Sequence, residues 1–223
     1  EGFVDPQQTR DEGPFGEYTG YYASNMRPET FVQVEAVYYR NQPIILGNQV
    51  MRPHGDAAEV RRIIVDAVTW EGLDAAGVPD IRAVSTIAAT TNGFAVIAIR
   101  QRYSGHAQQA GMIAAQTIGL QLGRYVIVVD EDIDPSNTDE VLWAMWTRSD
   151  PESSVTVVPN CRSQPLDPRL PPEKRANRDY TGSRLVIDAT RPFHWRDQFP
   201  KVVGTSAELQ AKMREKWGAD FFA

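Results

Sequence analysis

The sequence predicts an α/β protein in which a layered α/β domain follows a shorter β segment. From about residue 50 onward, helical patterns alternate with apolar strand patterns, which is typical of α/β layers. Residues 125–129 form a continuous apolar run between two helical patterns, as expected for a strand buried on both faces of a parallel sheet. An Asn-Gly pair at residues 92–93 separates two further apolar runs and indicates a hairpin.

The first 50 residues have the character of β structure. Residues 30–40 alternate apolar and polar side chains and are rich in β-branched and aromatic residues, so we predict a half-buried strand there. Residues 43–46 would extend the same sheet. Residues 1–4 resemble the end of a strand already in progress, and the chain lacks an initial methionine. We therefore expect the numbering to begin inside a longer polypeptide.

The α/β region opens with a helix predicted over residues 57–70. Its apolar residues suggest one stripe that faces the core, composed of Val60, Ile63, Ile64, Ala67 and Val68. Two strands, residues 80–89 and 94–99, are predicted to follow and to be joined by the turn at residues 90–93. A second helix is predicted over residues 106–122, ending before Gly123 because glycine favours the conformation that follows a helix C-terminus.

An acidic run follows the buried strand at residues 130–134. The carboxyl ends of strands commonly carry ligands in α/β sheets, and carboxylate oxygens bind divalent cations. The alternative is structural, with these acids capping the helix predicted over residues 138–148 and forming interdomain salt bridges. The residues alone favour the structural role.

The last third of the chain is predicted to be less regular. Strands are expected at residues 154–158 and 185–188, on either side of an irregular segment, residues 159–178, with five prolines. This segment is expected to wrap over a neighbouring domain or subunit. A final helix over residues 206–217 either closes its own domain or docks on another protomer through Leu209, Met213 and Trp217.

Composition excludes several classes of function. The net charge of −6 argues against a nucleic-acid partner, because such proteins usually carry a basic face. One cysteine is too few for a disulfide within the chain or a thiolate metal cluster. We see neither a membrane-spanning apolar run nor a signal peptide, so we expect a cytoplasmic protein without a membrane partner.

Residues 12–22, EGPFGEYTGYY, carry the chemistry. Two glutamates, three glycines, a proline and four aromatic residues within eleven positions suit neither a helix nor an ordinary strand, so we predict a shaped loop. Apolar surroundings raise the pKa of a carboxyl group towards the range useful for proton transfer. Glu12 and Glu17 are therefore candidate acids. The alternative is a surface turn whose glutamates are solvated.

This loop resembles the signature of the UbiD family of reversible decarboxylases, which use prenylated flavin mononucleotide (prFMN). The resemblance continues through RYSGHA at residues 102–107, VIVV at residues 126–129 and DEDIDP at residues 130–135. It implies that Glu12 pairs with an arginine and that Glu17 exchanges a proton with the substrate carbon. It also implies a flavin-binding domain whose tail, with the catalytic loop, is residues 1–50. Residues 51–195 then form the α/β domain, and residues 196–223 a C-terminal helix available for an oligomer contact.

Three further residues are candidates for binding. His54 and Arg62 are similar in position to a histidine and an arginine that contact the substrate in the furan-dicarboxylate and heteroaromatic-acid branch of the family, and both residue types can bind carboxylates. The alternative is a turn histidine and a solvated helix arginine. Arg100 is similar in position to a basic residue that meets the flavin phosphate in the family, and a solvated strand-end arginine is the alternative.

The resemblance therefore implies a carboxy-lyase that acts on an aromatic or heteroaromatic acid. No metal ligand is assigned within this chain, and a manganese-like divalent metal and potassium are expected in a preceding part of the enzyme. A homo-oligomer is expected. The competing hypothesis is an inactive C-terminal oligomerisation fragment that lacks the cofactor domain.

Overall fold

The computed structural model describes residues 1–22, 25–47, 52, 56–87, 90, 93–120 and 123–221. The chain divides into two compact units, Glu1–Phe193 and His194–Ala223. The first unit contains a two-stranded sheet and a five-stranded sheet with helices. The α/β class is thereby confirmed, and the predicted domain boundaries at residues 50 and 195 stay predictions.

The small sheet pairs β1 (Gly2–Glu12) with β2 (Arg27–Val34) in antiparallel register, from Gly2 opposite Val34 to Glu12 opposite Arg27. The prediction of a half-buried strand over residues 30–40 was wrong in extent and in burial. β2 ends at Val34, which lies opposite Gly2, the first residue of β1. Most side chains of both strands are exposed. Residues 43–46 do not extend this sheet.

The first helix, α1 (Asp56–Ala75), is longer than predicted and buries a different face. Val65, Thr69 and Leu73, which recur every four residues, are buried. Val60, Ile63 and Ile64 of the predicted stripe are exposed instead. Apolar residues occur on several sides of this helix, so their spacing did not identify the side that meets the sheet.

The large sheet has the strand order β3-β4-β5-β7-β6. Its three central strands are parallel, and both edge strands run antiparallel to their neighbours. The strands are β3 (Ile81–Thr86), β4 (Phe94–Ile99), β5 (Tyr125–Asp130), β6 (Val155–Arg162) and β7 (Thr181–Ala189). The β3–β4 hairpin is confirmed, although Thr91 and Asn92 of its turn lie outside the described residues. The prediction that residues 125–129 form a buried parallel strand is also confirmed.

Helices cover both faces of this sheet. α1 and α2 (His106–Ala114) contribute to one apolar cluster, and α3 (Thr138–Arg148) contributes to the other. The strands alternate between the clusters, so that Ile97 and Val128 face the first while Val96 and Ile127 face the second. This alternation explains why β4 and β5 are apolar throughout.

The predicted helix over residues 106–122 was too long, because α2 ends at Ala114 and a short 3-10 helix follows at Ile118–Leu120. The Thr117 hydroxyl donates a hydrogen bond of 2.9 Å to the Ala114 carbonyl, a local bond that competes with helix continuation. The irregular segment predicted over residues 159–178 is also more ordered than expected. β6 extends to Arg162, and α4 occupies Pro172–Ala176.

A 3-10 segment, Phe193–Gln198, begins at the last residue of the first unit, and the second unit contains a helix, α5 (Ala207–Phe221). Leu209, Met213 and Trp217 are exposed. Their docking on another protomer stays a prediction. Within the described part of the chain, no helix is both long and apolar enough to cross a membrane.

Candidate functional site

The EGPFGEYTGYY stretch, which we call the signature loop (residues 12–22), leads out of β1 through a tight turn. Gly13 and Gly20 have φ angles of 92° and 80°, which favour glycine, as the sequence predicted. The amide of Glu17 donates to the Tyr21 carbonyl at 2.9 Å, and the amide of Gly20 donates to the Glu17 carbonyl at 2.8 Å. The backbone of Glu17 is therefore fixed on both sides, and its side chain is half-buried.

Tyr18 joins the signature loop to the α/β layer. The guanidinium of Arg61 on α1 lies 4.6 Å from the centre of the Tyr18 ring. The Tyr18 hydroxyl accepts a hydrogen bond from the side-chain amide of Gln164. Burial raises the pKa of Tyr18 to about 12. The nearby Asp167 and Glu17 carboxylates also raise this pKa, whereas Arg61 lowers it. The phenol is therefore neutral at physiological pH.

A cavity of about 210 Å³ lies beside this contact, at the amino ends of β4 and β5. The rings of Phe94 and Tyr125 stack with their centres 4.4 Å apart in its wall. The Thr19 hydroxyl oxygen is buried, and it has no hydrogen-bond partner among the described residues. The cavity is lined by Thr19, Thr90, Gly93, Phe94, Arg124, Tyr125, Asp167 and Pro168.

Asp167 is the polar centre of this region and is only 3% exposed. Its carboxylate accepts two hydrogen bonds from Arg124, at 2.9 and 2.7 Å. It also accepts from the Ser163 hydroxyl at 2.7 Å and from the Arg169 amide at 2.9 Å. Burial by itself raises the pKa of this carboxyl, but the Ser163, Arg169 and Arg124 hydrogen bonds outweigh burial and hold the pKa below its usual range. Asp167 is therefore ionised near neutral pH.

Glu12 and Arg62, two of the predicted site residues, differ in where the structure places them. Glu12 ends β1, is exposed and lies opposite Arg27, but Arg27 forms its ion pair with Glu29 at 2.6 Å. Arg62 binds residues near it on α1, Glu59 at 3.1 Å and Asp66 at 3.5 Å, and donates to Ser85 at 3.5 Å. Its neighbour Arg61 contacts the signature loop instead, over the Tyr18 ring.

The predicted residue His54 lies outside the described residues. Arg100 follows the carboxyl end of β4, whereas the cavity lies at the amino end of the same strand. Six residues of strand separate the two ends by about 16 Å. The Arg100 side chain is 57% exposed and lies 3.7 Å from Glu131. The structure does not bring Arg100 to the signature loop, and its cofactor role stays a prediction.

The carboxyl end of the sheet is occupied by ion pairs. Arg148 contacts Asp130 at 3.0 Å and Asp132 at 2.8 Å, and Arg191 contacts the same two carboxylates at 3.1 and 3.0 Å. The acidic run thus forms salt bridges, but within the Glu1–Phe193 unit rather than between domains as predicted, and the N-cap of α3 is Asn137 rather than an acid. Across the described ranges, no three His, Cys, Asp or Glu side chains are grouped as metal ligands.

Sequence reasoning missed most of the residues that surround the signature loop. Arg61 directly precedes Arg62, and the helix pattern did not show which of the two arginines contacts the signature loop. Gln164 and Asp167 lie in a segment with no apolar period, and 146 residues separate Gln164 from Tyr18. The proline-rich composition of residues 159–178 predicted only an irregular segment that wraps over a neighbouring domain or subunit.

Models of two protein-family domains match the chain. Residues 1–53 match the 3-octaprenyl-4-hydroxybenzoate carboxy-lyase Rift-related domain, and residues 60–189 match the C-terminal domain of the same name. A phenolic acid decarboxylase from Bacillus subtilis is 33% identical over 194 residues, which cover 86% of this chain and 39% of that protein.

Solved structures give the same result. The vanillic acid decarboxylase of Sedimentibacter hydroxybenzoicus, in its open form, matches with a TM-score of 0.78 and 27% identity over 96% of this chain and 46% of that one. The UbiD-class enzyme HmfF from Pelotomaculum thermopropionicum, in complex with FMN, matches with a TM-score of 0.77 and 28% identity over 93% of this chain and 44% of that one. An evolved dimeric form of HmfF, in complex with prFMN, matches with a TM-score of 0.70 and 26% identity over 94% of this chain and 42% of that one.

The chain thus spans less than half the length of these relatives. Their described acids are phenolic and vanillic acids, so the furan-dicarboxylate and heteroaromatic branch stays a prediction. Because the matched family domains cover residues 1–53 and 60–189, the chain belongs to the UbiD family.

Proposed function

We propose that the complete protein containing this chain catalyses the reversible, non-oxidative decarboxylation of an aromatic or heteroaromatic acid with prFMN. The decarboxylases among its relatives and the flavin-bound structural neighbours support this reaction. The observation that carries the proposal is the placement of Glu17, which is half-buried in a turn fixed by two backbone hydrogen bonds. Glu17 is the proposed acid and base.

The chemistry requires such a residue. Loss of carbon dioxide leaves an electron pair on the substrate carbon, which must be stabilised and then protonated. When bound, prFMN supplies the electron-accepting chemistry. The Glu17 carboxyl group delivers the proton to the carbon, and in the reverse direction its carboxylate removes that proton. The fixed backbone of the turn limits the positions that the Glu17 side chain can reach, which favours proton transfer at one place.

The other predicted residues have supporting roles in this proposal. Glu12, five residues before Glu17 in the same loop, holds an arginine-containing network that orients Glu17. His54 and Arg62 bind the ring and any second carboxylate of the acid. Arg100 contacts the flavin phosphate.

The cavity beside the signature loop does not by itself form a complete flavin site. The cavity beside the signature loop, at about 210 Å³, is smaller than the roughly 300–1,000 Å³ typical of ligand pockets. No group of metal ligands for the flavin phosphate is present among the described residues. Because the chain spans less than half the length of its relatives, we propose that prFMN, a divalent metal and potassium are held mainly by polypeptide outside this chain, while this chain supplies the proton-transfer residues.

A second candidate function is that of a non-catalytic part that binds copies of itself. The chain spans 39% of the Bacillus subtilis phenolic acid decarboxylase and 46% of the vanillic acid decarboxylase. The exposed apolar residues of α5 support such a role. A flavin-free oligomer of the isolated chain would favour this candidate. An absorption spectrum with the prFMN band would contradict it.

The decarboxylase proposal is tested on the full-length protein, purified with prFMN, with unmodified FMN and without flavin. Carbon dioxide release is measured with vanillic acid, a simpler phenolic acid and furan-2,5-dicarboxylic acid. We expect release from at least one acid only in the prFMN-loaded sample. Absence of release from every acid, with the flavin spectroscopically present, would contradict these substrate classes. Equal release without flavin would contradict the cofactor.

A further inference from the structure

A compact turn at residues 163–170, which we call the Asp167 turn, presents Gln164 to the signature loop. The Asp167 amide donates to the Gln164 carbonyl at 3.0 Å, so the turn closes directly over Gln164. The Asp167 carbonyl accepts from Arg175 at 2.7 Å, and the Asp167 carboxylate is bound by Arg124 and Ser163. The backbone and side chain of Asp167 thus hold the turn from several directions.

We propose that Gln164, held by the Asp167 turn, is a positioning residue for proton transfer by Glu17 and acts through its hydrogen bond to Tyr18. The inference rests on the proposed function, because it assigns Gln164 a role in a step carried out by Glu17. Gln164 does not itself contact the reacting atoms in this proposal. It fixes the residue that directly follows Glu17 in the chain.

The contacts of Tyr18 restrain it at both ends. Arg61 lies over its ring, and Gln164 donates to its hydroxyl. Glu17 and Tyr18 are joined by a peptide bond, and the turn that contains them is closed by the bond from the Glu17 amide to the Tyr21 carbonyl. Movement of Tyr18 would therefore displace the Glu17 backbone. A displacement of about 1 Å in a catalytic group can cost about a hundredfold in rate.

Neither Tyr18 nor Asp167 changes its charge near neutral pH. Since the pKa of Tyr18 is raised to about 12, its hydroxyl is neutral near neutral pH. The Asp167 carboxylate stays ionised at neutral pH, so the turn that carries Gln164 also keeps its structure. Gln164 therefore contributes through geometry rather than through titration.

The test uses the full-length protein loaded with prFMN. Gln164→Ala and Tyr18→Phe each remove the same hydrogen bond, and we expect each to lower kcat about 10- to 100-fold while KM changes less than about twofold. Because both act on one contact, the double variant should be no slower than the slower single variant. The matched control is Gln108→Ala, which removes an exposed glutamine-to-hydroxyl hydrogen bond to Thr156 and should keep wild-type kcat.

A second measurement is independent of activity. Hydrogen–deuterium exchange of the signature loop reports the amides of Glu17 and Gly20, which are hydrogen-bonded within the turn. We expect faster exchange in this loop for Gln164→Ala, and exchange at the wild-type rate for Gln108→Ala. Unchanged exchange in Gln164→Ala would overturn the proposed restraint. If Gln164→Ala does not fold, Tyr18→Phe gives the deciding values.

Wild-type kcat in both Gln164→Ala and Tyr18→Phe would overturn the inference. So would strictly multiplicative losses in the double variant, because these indicate two independent effects. Either result, with Glu17→Gln inactive, leaves the proposed function in place. Full activity of Glu17→Gln would instead remove the proposed function and, with it, the positioning role.

Discussion

Asp167 shows how a single buried carboxylate determines the surroundings of the signature loop. Four hydrogen bonds from Arg124, Ser163 and the Arg169 amide satisfy its two oxygens. Removing its charge would leave the guanidinium of Arg124 without its partner next to the cavity. The network therefore stabilises both the fold and the wall of the candidate site.

Asp167→Asn should lower the free energy of unfolding by about 1.5–3 kcal/mol at pH 7, the usual cost of losing hydrogen bonds to a charged group. Because the pKa of Asp167 is lowered in the folded state, its ionised form stabilises the fold above the ordinary carboxyl pKa of about 4. That contribution is lost as the pH falls through the lower folded-state pKa. Urea unfolding at pH 7, 5 and 3 should show the variant and wild type converging at the lowest pH.

The control for this prediction is Asp197→Asn, at a side chain that is 97% exposed, which should change the free energy of unfolding by less than about 0.5 kcal/mol. Equal unfolding midpoints for Asp167→Asn and wild type at pH 7 would show that the network contributes no net stability.

For the individual residues of the signature loop, the sequence predicted the turn but not the residues that contact it. The glycine spacing correctly predicted a shaped turn, since Gly13 and Gly20 adopt positive φ angles. The bonding of Tyr18 to Gln164 was not predictable from local pattern. It depends on tertiary packing that brings together residues far apart in the chain.

Among the elements, α2 packs more closely against the sheet than its sequence suggests. An ideal Cβ at Gly111 would lie 2.3 Å from the Val186 Cγ1 atom and 3.2 Å from the Val128 Cγ2 atom. Gly111 therefore permits the helix to approach β5 and β7 closely. The residue is a packing requirement rather than a flexible point in the helix.

Gly111→Ala should destabilise the protein by about 1–3 kcal/mol, because the overpacking cost exceeds the gain in helix propensity. The matched control is Gly218→Ala in α5, where an added Cβ meets nothing within 4 Å. Chemical denaturation should show a lower midpoint for Gly111→Ala and no decrease for Gly218→Ala. A Gly111→Ala midpoint at or above that of the wild type would refute the close packing.

Element types were more predictable than the faces that the elements bury. β5 could be predicted because apolar residues on both of its faces leave only a buried position in a parallel sheet. The buried face of α1 could not, because Val60, Ile63 and Ile64 form as plausible a stripe as Val65, Thr69 and Leu73. The tertiary contacts of α1 with β3, α2 and the short 3-10 helix Ile118–Leu120 distinguish the two faces.

For the Glu1–Phe193 unit as a whole, the two ends of the central strands have different chemistry. At the carboxyl end, where ligands are usual in α/β sheets, Arg148 and Arg191 neutralise Asp130 and Asp132. At the amino end lie the cavity and the contact of the signature loop. The candidate site therefore uses the sheet as a support for a loop that precedes it in sequence.

The most direct test of this account is carbon dioxide release by Glu17→Gln in the full-length, prFMN-loaded protein. We predict a rate at least about a hundredfold below wild type, because a general acid typically contributes that much or more, with unchanged flavin absorbance and assembly. The matched control, Glu152→Gln at an exposed acid outside the signature loop, should keep the wild-type rate. Undiminished carbon dioxide release by Glu17→Gln would contradict the assignment of the proton-transfer role to this loop.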